Sequence, residues 1–128
     1  MKIAYLDTSC LVAILFDEPG AQQTAQLLAS FDQLIASNLL EAEMRAVFSR
    51  EQVEEKPTEV YASISWIYPN RALSQEYQQI LDVGYLRGAD LWHLACALFV
   101  SPTAQNLHFI TLDNRQQEVA RELGFKTG

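Results

Sequence analysis

The chain has 128 residues, 49% hydrophobic and 20% charged, with five Gly and four Pro, a composition that excludes a disordered, low-complexity or collagen-like protein. This length fits one domain, residues 1–128, able to bury roughly two-thirds of the surface that its unfolded form exposes. The formal net charge of −7 argues against gripping nucleic acid through Lys and Arg alone; it does not exclude a phosphate-bearing substrate, because carboxylates that take up divalent cations reverse the local sign.

The apolar run at residues 3–6 predicts a strand, and it stops at Asp7, a residue type depleted in strands and rarely buried without a partner. Residues 9–16 are apolar nearly all round, as in a short buried helix, and Asp17-Glu18-Pro19-Gly20 breaks it. Residues 20–29 predict a helix, residues 34–36 a strand ending at Ser37, and residues 39–53 an amphipathic helix with Leu40, Met44, Val47 and Phe48 on one stripe. Pro57 suits the first turn of a further helix, TEVYASISWIY, that ends before Pro69. A brief strand is expected at 71–73, helices at 75–85 and 90–100, a clear strand at 108–112, a polar helix at 114–123 and a last short strand at Phe125. Strands alternating with helices predict an α/β sandwich with a mostly parallel sheet.

Cys10 and Cys96 sit in apolar stretches without metal-ligand spacing and read as core thiols in a reducing compartment. The N-terminal residues lack the pattern of a signal peptide, and no apolar run approaches the roughly 18 residues of a membrane span, so the expected location is the cytoplasm with no membrane partner. Gly-rich phosphate loops are missing from the strand-to-helix junctions.

Acidic residues recur at those junctions instead: Asp7 after the first strand, Glu41 and Glu43 after the second, Asp90 opening ADLWHLACAL, and Asp113 after FITL. Singly, Asp90 and Asp113 are good helix N-caps, whereas Thr8 or Ser9 is free to cap in place of Asp7. Together, outside the carboxyl ends of parallel strands, they would repel one another, and a hard divalent cation such as Mg²⁺ removes the conflict. Such an ion supports hydrolysis of a phosphodiester.

The stretches IAYLDTSCLVAILFDEPG, ASNLLEAEMRAVF, LRGADLWHLACAL and FITLDNRQQEVARELGF resemble, in order and over residues 3–125, the successive signatures of the PIN-domain family, in particular the VapC-type ribonuclease toxins. The resemblance implies a three-layer α/β/α sandwich, a Mg²⁺ or Mn²⁺ site made by three or four acids, and hydrolytic cleavage of RNA. Carried over by position, it assigns the metal-binding and catalytic acids to Asp7, Glu43, Asp90 and Asp113. Ser9 and Thr111 fall on the hydroxyl positions behind those acids. It also implies a cognate antitoxin and a homodimer.

Glu41 competes with Glu43, but the two lie about 200° apart on a helix, so only one can face the pocket. Glu43 is preferred, with Glu41 pairing with Arg45 in solvent. His93 is read as a core histidine, Arg87 and Arg115 as candidates to touch phosphate, and Tyr61, Trp66 and Tyr68 as core or subunit contact. Two rivals remain. A receiver-like phosphoacceptor should carry an acidic pair after the first strand, where only Asp7 stands. A PIN-like module that binds RNA or protein without cutting would keep the acids as caps.

Overall fold

Four short runs of β-favouring residues pair side by side in the computed structural model, which describes residues 1–54 and 61–128. They are β1 (Ile3–Leu6), β2 (Gln33–Ser37), β3 (Ile64–Ile67) and β4 (His108–Ile110). All pairings are parallel, in the order β3-β2-β1-β4, with Ala4 opposite both Leu34 and His108. Because parallel neighbours need crossovers, helices fill the connections: α1 (Thr8–Leu15), α2 (Ala21–Ala29), α3 (Leu39–Arg50), α4 (Ser74–Val83), α5 (Gly88–Val100) and α6 (Asn114–Leu123).

Strand side chains alternate between two cores, which makes the fold a three-layer α/β/α sandwich. Ala4, Leu6, Ala36, Ile64 and Ile110 pack with Cys10, Leu11, Leu28, Leu40, Met44 and Phe48 from α1, α2 and α3. On the other face, Tyr5, Ile35 and Phe109 pack with Ile80, Leu94, Leu98 and Val119 from α4, α5 and α6. In α5, His93, Leu94, Ala95, Cys96, Ala97 and Leu98 are buried in succession, as a helix covered on nearly every side must be. Cys10 and Cys96 therefore lie on opposite faces of the sheet, and burial pushes each thiol up to about 12.

Three expected elements are corrected. The helix predicted from Pro57 has its first residues outside the described ones, and its second half is β3: Ile64, Trp66 and Ile67 suit helical spacing, but cross-strand packing against β2 decides. Residues 71–73 are not a strand, because Leu73 drops into the core as the N-cap of α4 while Arg71 forks onto Glu76 at 2.6 and 3.0 Å. The predicted last strand is one parallel bridge, His108 to Lys126. Among the described residues no helix is long and apolar enough to cross a membrane.

Candidate active site

The all-parallel sheet brings the carboxyl ends of its strands to one side, and there the chain leaves β1 through Asp7 and β4 through Thr111. The Asp7 N–H still extends the ladder, donating to Ile110 O at 2.9 Å, while its side chain has already turned to cap α1 by accepting from Ser9 N at 3.1 Å. Only 5% of Asp7 is exposed, so its other oxygen also needs a donor. Gln116 supplies it: Nε2 donates to Asp7 Oδ1 at 3.3 Å and to the Asp90 carbonyl at 3.1 Å.

Gln116 is fully buried and was not singled out from the sequence, although a signal was present. Asp-x-x-Gln at a helix start has the form of a capping box, in which the Gln reaches back to the cap N–H. Here the Asp113 N–H donates instead to Thr111 Oγ1 at 3.1 Å, and Asp113 Oδ1 caps α6 by accepting from Gln116 N at 2.7 Å. Released from that duty, the Gln116 amide turns inward. Thr111 has one proton, and it goes to Gln116 Oε1 at 2.6 Å rather than to Asp7 at 3.4 Å. Ser9 Oγ accepts from Leu112 N at 3.1 Å and lies 3.4 Å from Thr111 Oγ1, joining α1 to the end of β4.

A second network holds Glu43. Its Oε1 accepts from Thr8 Oγ1 at 2.7 Å and from His93 Nε2 at 2.6 Å. The tautomer follows from the far side of the ring: Ser37 N donates to Tyr5 OH at 3.2 Å, so the phenol proton is free for His93 Nδ1 at 2.9 Å and leaves the hydrogen on Nε2. Trp92 Nε1 completes the row by donating to Ser37 Oγ at 3.0 Å. Burial raises the Glu43 carboxyl, but the bonds from His93 and Thr8 outweigh it and hold the group below its usual range. Glu41 instead pairs with Arg45 at 2.7 Å in solvent, as its place on the helix requires.

Asp90 is placed differently. It is the third residue of α5, whose N-cap is Arg87, so it does not cap the helix as its sequence position suggests. Thr8 and Ser9 do not replace Asp7 as the cap either, because their hydroxyls are engaged by Glu43 and by Leu112. The Asp90 carboxyl is raised, first by burial and then by the charges of Asp7 and Asp113, with Arg87 and His93 offsetting only part. Asp7, Asp90 and Asp113 thus share one electrostatic neighbourhood.

These donors are all hard carboxylate oxygens, which fits Mg²⁺ or Mn²⁺ rather than a soft metal. Among the described residues no three His, Cys, Asp or Glu side chains converge as a ready-made cage.

Comparison with known proteins agrees with the fold. A family model described as "PIN domain" matches residues 4–122. Among solved structures, VapBC2 from Rickettsia felis, bound to a DNA fragment from their promoter, is similar at 17% identity and TM-score 0.68, covering 98% of this chain and 97% of that one. VapBC-1 from nontypeable Haemophilus influenzae is similar at 17% identity and TM-score 0.66, over 98% and 96%. A toxin-antitoxin complex from Klebsiella pneumoniae is similar at 18% identity and TM-score 0.68, over 88% of each chain. At such identities the likeness shows a shared fold. No match was found among curated proteins.

Proposed function

The chain belongs to the PIN domain family, and on that premise we propose that it is a metal-dependent endoribonuclease, the toxin of a toxin-antitoxin pair. The observation that carries this reading is the placing of three acids together: Gln116 Nε2 bonds both Asp7 Oδ1 and the Asp90 carbonyl, Asp90 and Asp113 line one cleft, and the Asp90 carboxyl is raised by burial and by the charges of the other two. A protein with no use for the charges would gain by losing one of them.

Asp7 and Asp90 would hold Mg²⁺ or Mn²⁺, with Asp113 and Glu43 completing the site. An ion there would neutralise charge on the phosphodiester and favour ionisation of the attacking water. The chain's own residues set the stage for it. Gln116 and Ser9 N–H fix both oxygens of Asp7, and Thr111 fixes Gln116. Glu43 accepts both its bonds on Oε1, which leaves Oε2 to orient water toward the phosphorus. Water attack would break the bond to the 3′ oxygen and leave a 5′-phosphate.

The partners of this reading are RNA, a cognate antitoxin whose basic side chain would enter the acidic site, and a second copy of the chain, all in the cytoplasm. Structural neighbours that are toxin-antitoxin complexes support the antitoxin. A second reading, a PIN-like module that binds RNA or protein without cutting, is favoured by one observation: Asp7 and Asp113 both serve as helix N-caps.

Incubation of the purified protein with RNA separates the two. Cleavage that needs Mg²⁺ or Mn²⁺, stops with EDTA and leaves 5′-phosphate ends is expected. Mn²⁺ should also raise the melting temperature of the protein alone, and less so for Asp90→Asn. RNA left intact with every divalent ion supports the binding module.

A further inference from the structure

Beside the carboxylates lies a cleft of about 220 Å³ lined by Tyr85, Leu86, Arg87, Asp90, Asp113 and Arg115. The segment between α4 and α5 shapes it. Gly84 and Arg87 have extended backbones, at φ −176 and −70° with ψ 156 and 162°, and Leu86 is pinned in the core at 4% exposure. In extended chain the neighbours of an inward residue point outward, so burying Leu86 sends Tyr85 and Arg87 to the same outer side. Tyr85 is 71% exposed, a large ring left in water at the mouth of the proposed site.

Arg115 is seated by an omission. A Cβ at Gly84 would stand 2.6 Å from Arg115 Nη2 and 3.1 Å from Val119 Cγ2, so the guanidinium occupies the space that any other residue would fill. Among the described residues its one ion pair is loose, Nη1 to Glu118 at 3.5 Å, between side chains that are both more than half exposed. Arg87 forms no ion pair among the described residues, although it lies close enough to Asp90 to act on its charge. Two guanidiniums are thus held near carboxylates without being consumed by them.

We infer that this cleft is a nucleotide subsite next to the carboxylates: Tyr85 stacks on one unpaired base of the RNA, and Arg87 and Arg115 take the phosphate beside it. The inference rests on the ribonuclease reading and gives it a determinant of substrate form. Guanidiniums for the backbone and an exposed ring for a base are the pairing by which single strands are held. At about 220 Å³ the cleft is smaller than the roughly 300–1,000 Å³ of a drug-sized pocket, so it takes part of one nucleotide and leaves the base on the exposed ring of Tyr85.

The test is anisotropy of a short fluorescent oligouridylate against the intact protein in Ca²⁺, with the strand recovered uncut, beside a blunt RNA duplex and a parallel cleavage assay in Mn²⁺. The wild type should bind the single strand more tightly than the duplex. Tyr85→Ala should weaken it about tenfold and Tyr85→Phe hardly at all. Arg115→Ala should weaken binding and lower the slope of log K against log salt by about 0.7, the share of one phosphate contact. Gly84→Ala should reproduce the Arg115→Ala result by displacing the guanidinium, and Arg115→Ala, on an exposed side chain, decides alone if Gly84→Ala melts early.

Equal binding of strand and duplex, no binding of the oligouridylate, or wild-type affinity in Tyr85→Ala overturns the subsite, as it would if the cleft seats a protein segment instead. If the wild type still cleaves RNA in that event, the ribonuclease reading survives. If binding depends on Tyr85 while no divalent ion supports cleavage, the subsite stands and the cleavage reading falls.

Discussion

The two polar networks at the carboxyl end of the sheet hold their carboxylates by different chemistry. Asp7 is held by neutral donors alone, a backbone N–H and an amide, both set by the cap of α1 and by Gln116. Glu43 is held by a hydroxyl and an imidazole whose tautomer is fixed from behind by Tyr5 and Ser37. Among the described residues Asp90 belongs to neither through its carboxylate; its backbone carbonyl is tied to Gln116. The contrast separates two tasks: donors that place an oxygen, and a gap in the donors that leaves one carboxylate open and electrostatically uncomfortable. A ligand that brings positive charge has most to offer at the gap.

Asp7→Asn is the strongest way to break this contrast, since it removes a charge and keeps a residue that caps helices as well as Asp does. RNA cleavage should fall at least a hundredfold, while urea unfolding of the metal-free protein shows a loss no greater than about 1 kcal/mol, because the acceptor lost where Asn turns an NH2 toward Ser9 N or Gln116 Nε2 is offset by relieved repulsion with Asp90. Wild-type cleavage in Asp7→Asn would remove Asp7 from the chemistry. Next in size is Gln116→Leu, which strips the donor from Asp7 Oδ1 and from the Asp90 carbonyl and the acceptor from Thr111. Unsatisfied buried groups of this kind cost about 1–3 kcal/mol. A urea midpoint equal to that of the wild type would mean that Gln116 holds nothing.

On the Glu43 side, His93→Phe should cost about 1–2 kcal/mol by leaving Tyr5 OH without an acceptor and Glu43 with Thr8 in place of two donors. His93→Gln, which keeps an N–H for Glu43, should recover part of that loss. If the two variants melt together, the bond to Glu43 contributes nothing. The smallest effect is in pH dependence. Asp90, raised above its ordinary value of 3.8, binds a proton more readily folded than unfolded, so stability should rise as pH falls from neutral toward the raised value. Glu43, lowered from 4.5, works the other way, and its contribution is lost as pH falls through its depressed value. Melting curves across that acid range should show the rise vanish in Asp90→Asn and the later fall soften in Glu43→Gln.

Most of the frame was readable from local pattern. Apolar runs of strand length marked β1, β2 and β4, and the stripe Leu40, Met44 and Phe48 marked the buried side of α3. β3 was not, because Ile64, Trp66 and Ile67 satisfy two periods at once and only the neighbouring strand chooses between them. The acids were visible as residue types at junctions, and the choice of Glu43 over Glu41 agrees with the side of α3 each one takes. What holds the acids was hidden, because Gln116 and His93 are joined to them by contacts that span 109 and 50 residues of chain. No window of local sequence contains both ends of such a bond.

The register of β1 against β4 has a temporal side. Leu6 and Ile110 are partners, and the amide that steadies Asp7 stands 109 residues later. A chain made from its N-terminus therefore carries Asp7, Glu43 and Asp90 long before it can bring them into order, since β1 has no neighbour on that flank until β4 arrives. So non-local a pairing has to overcome loop-closure entropy before its contacts stabilise it, and the same pairing brings Gln116 to Asp7. Order at Asp7 thus waits on α6, the last helix of the chain to be made, which carries Gln116.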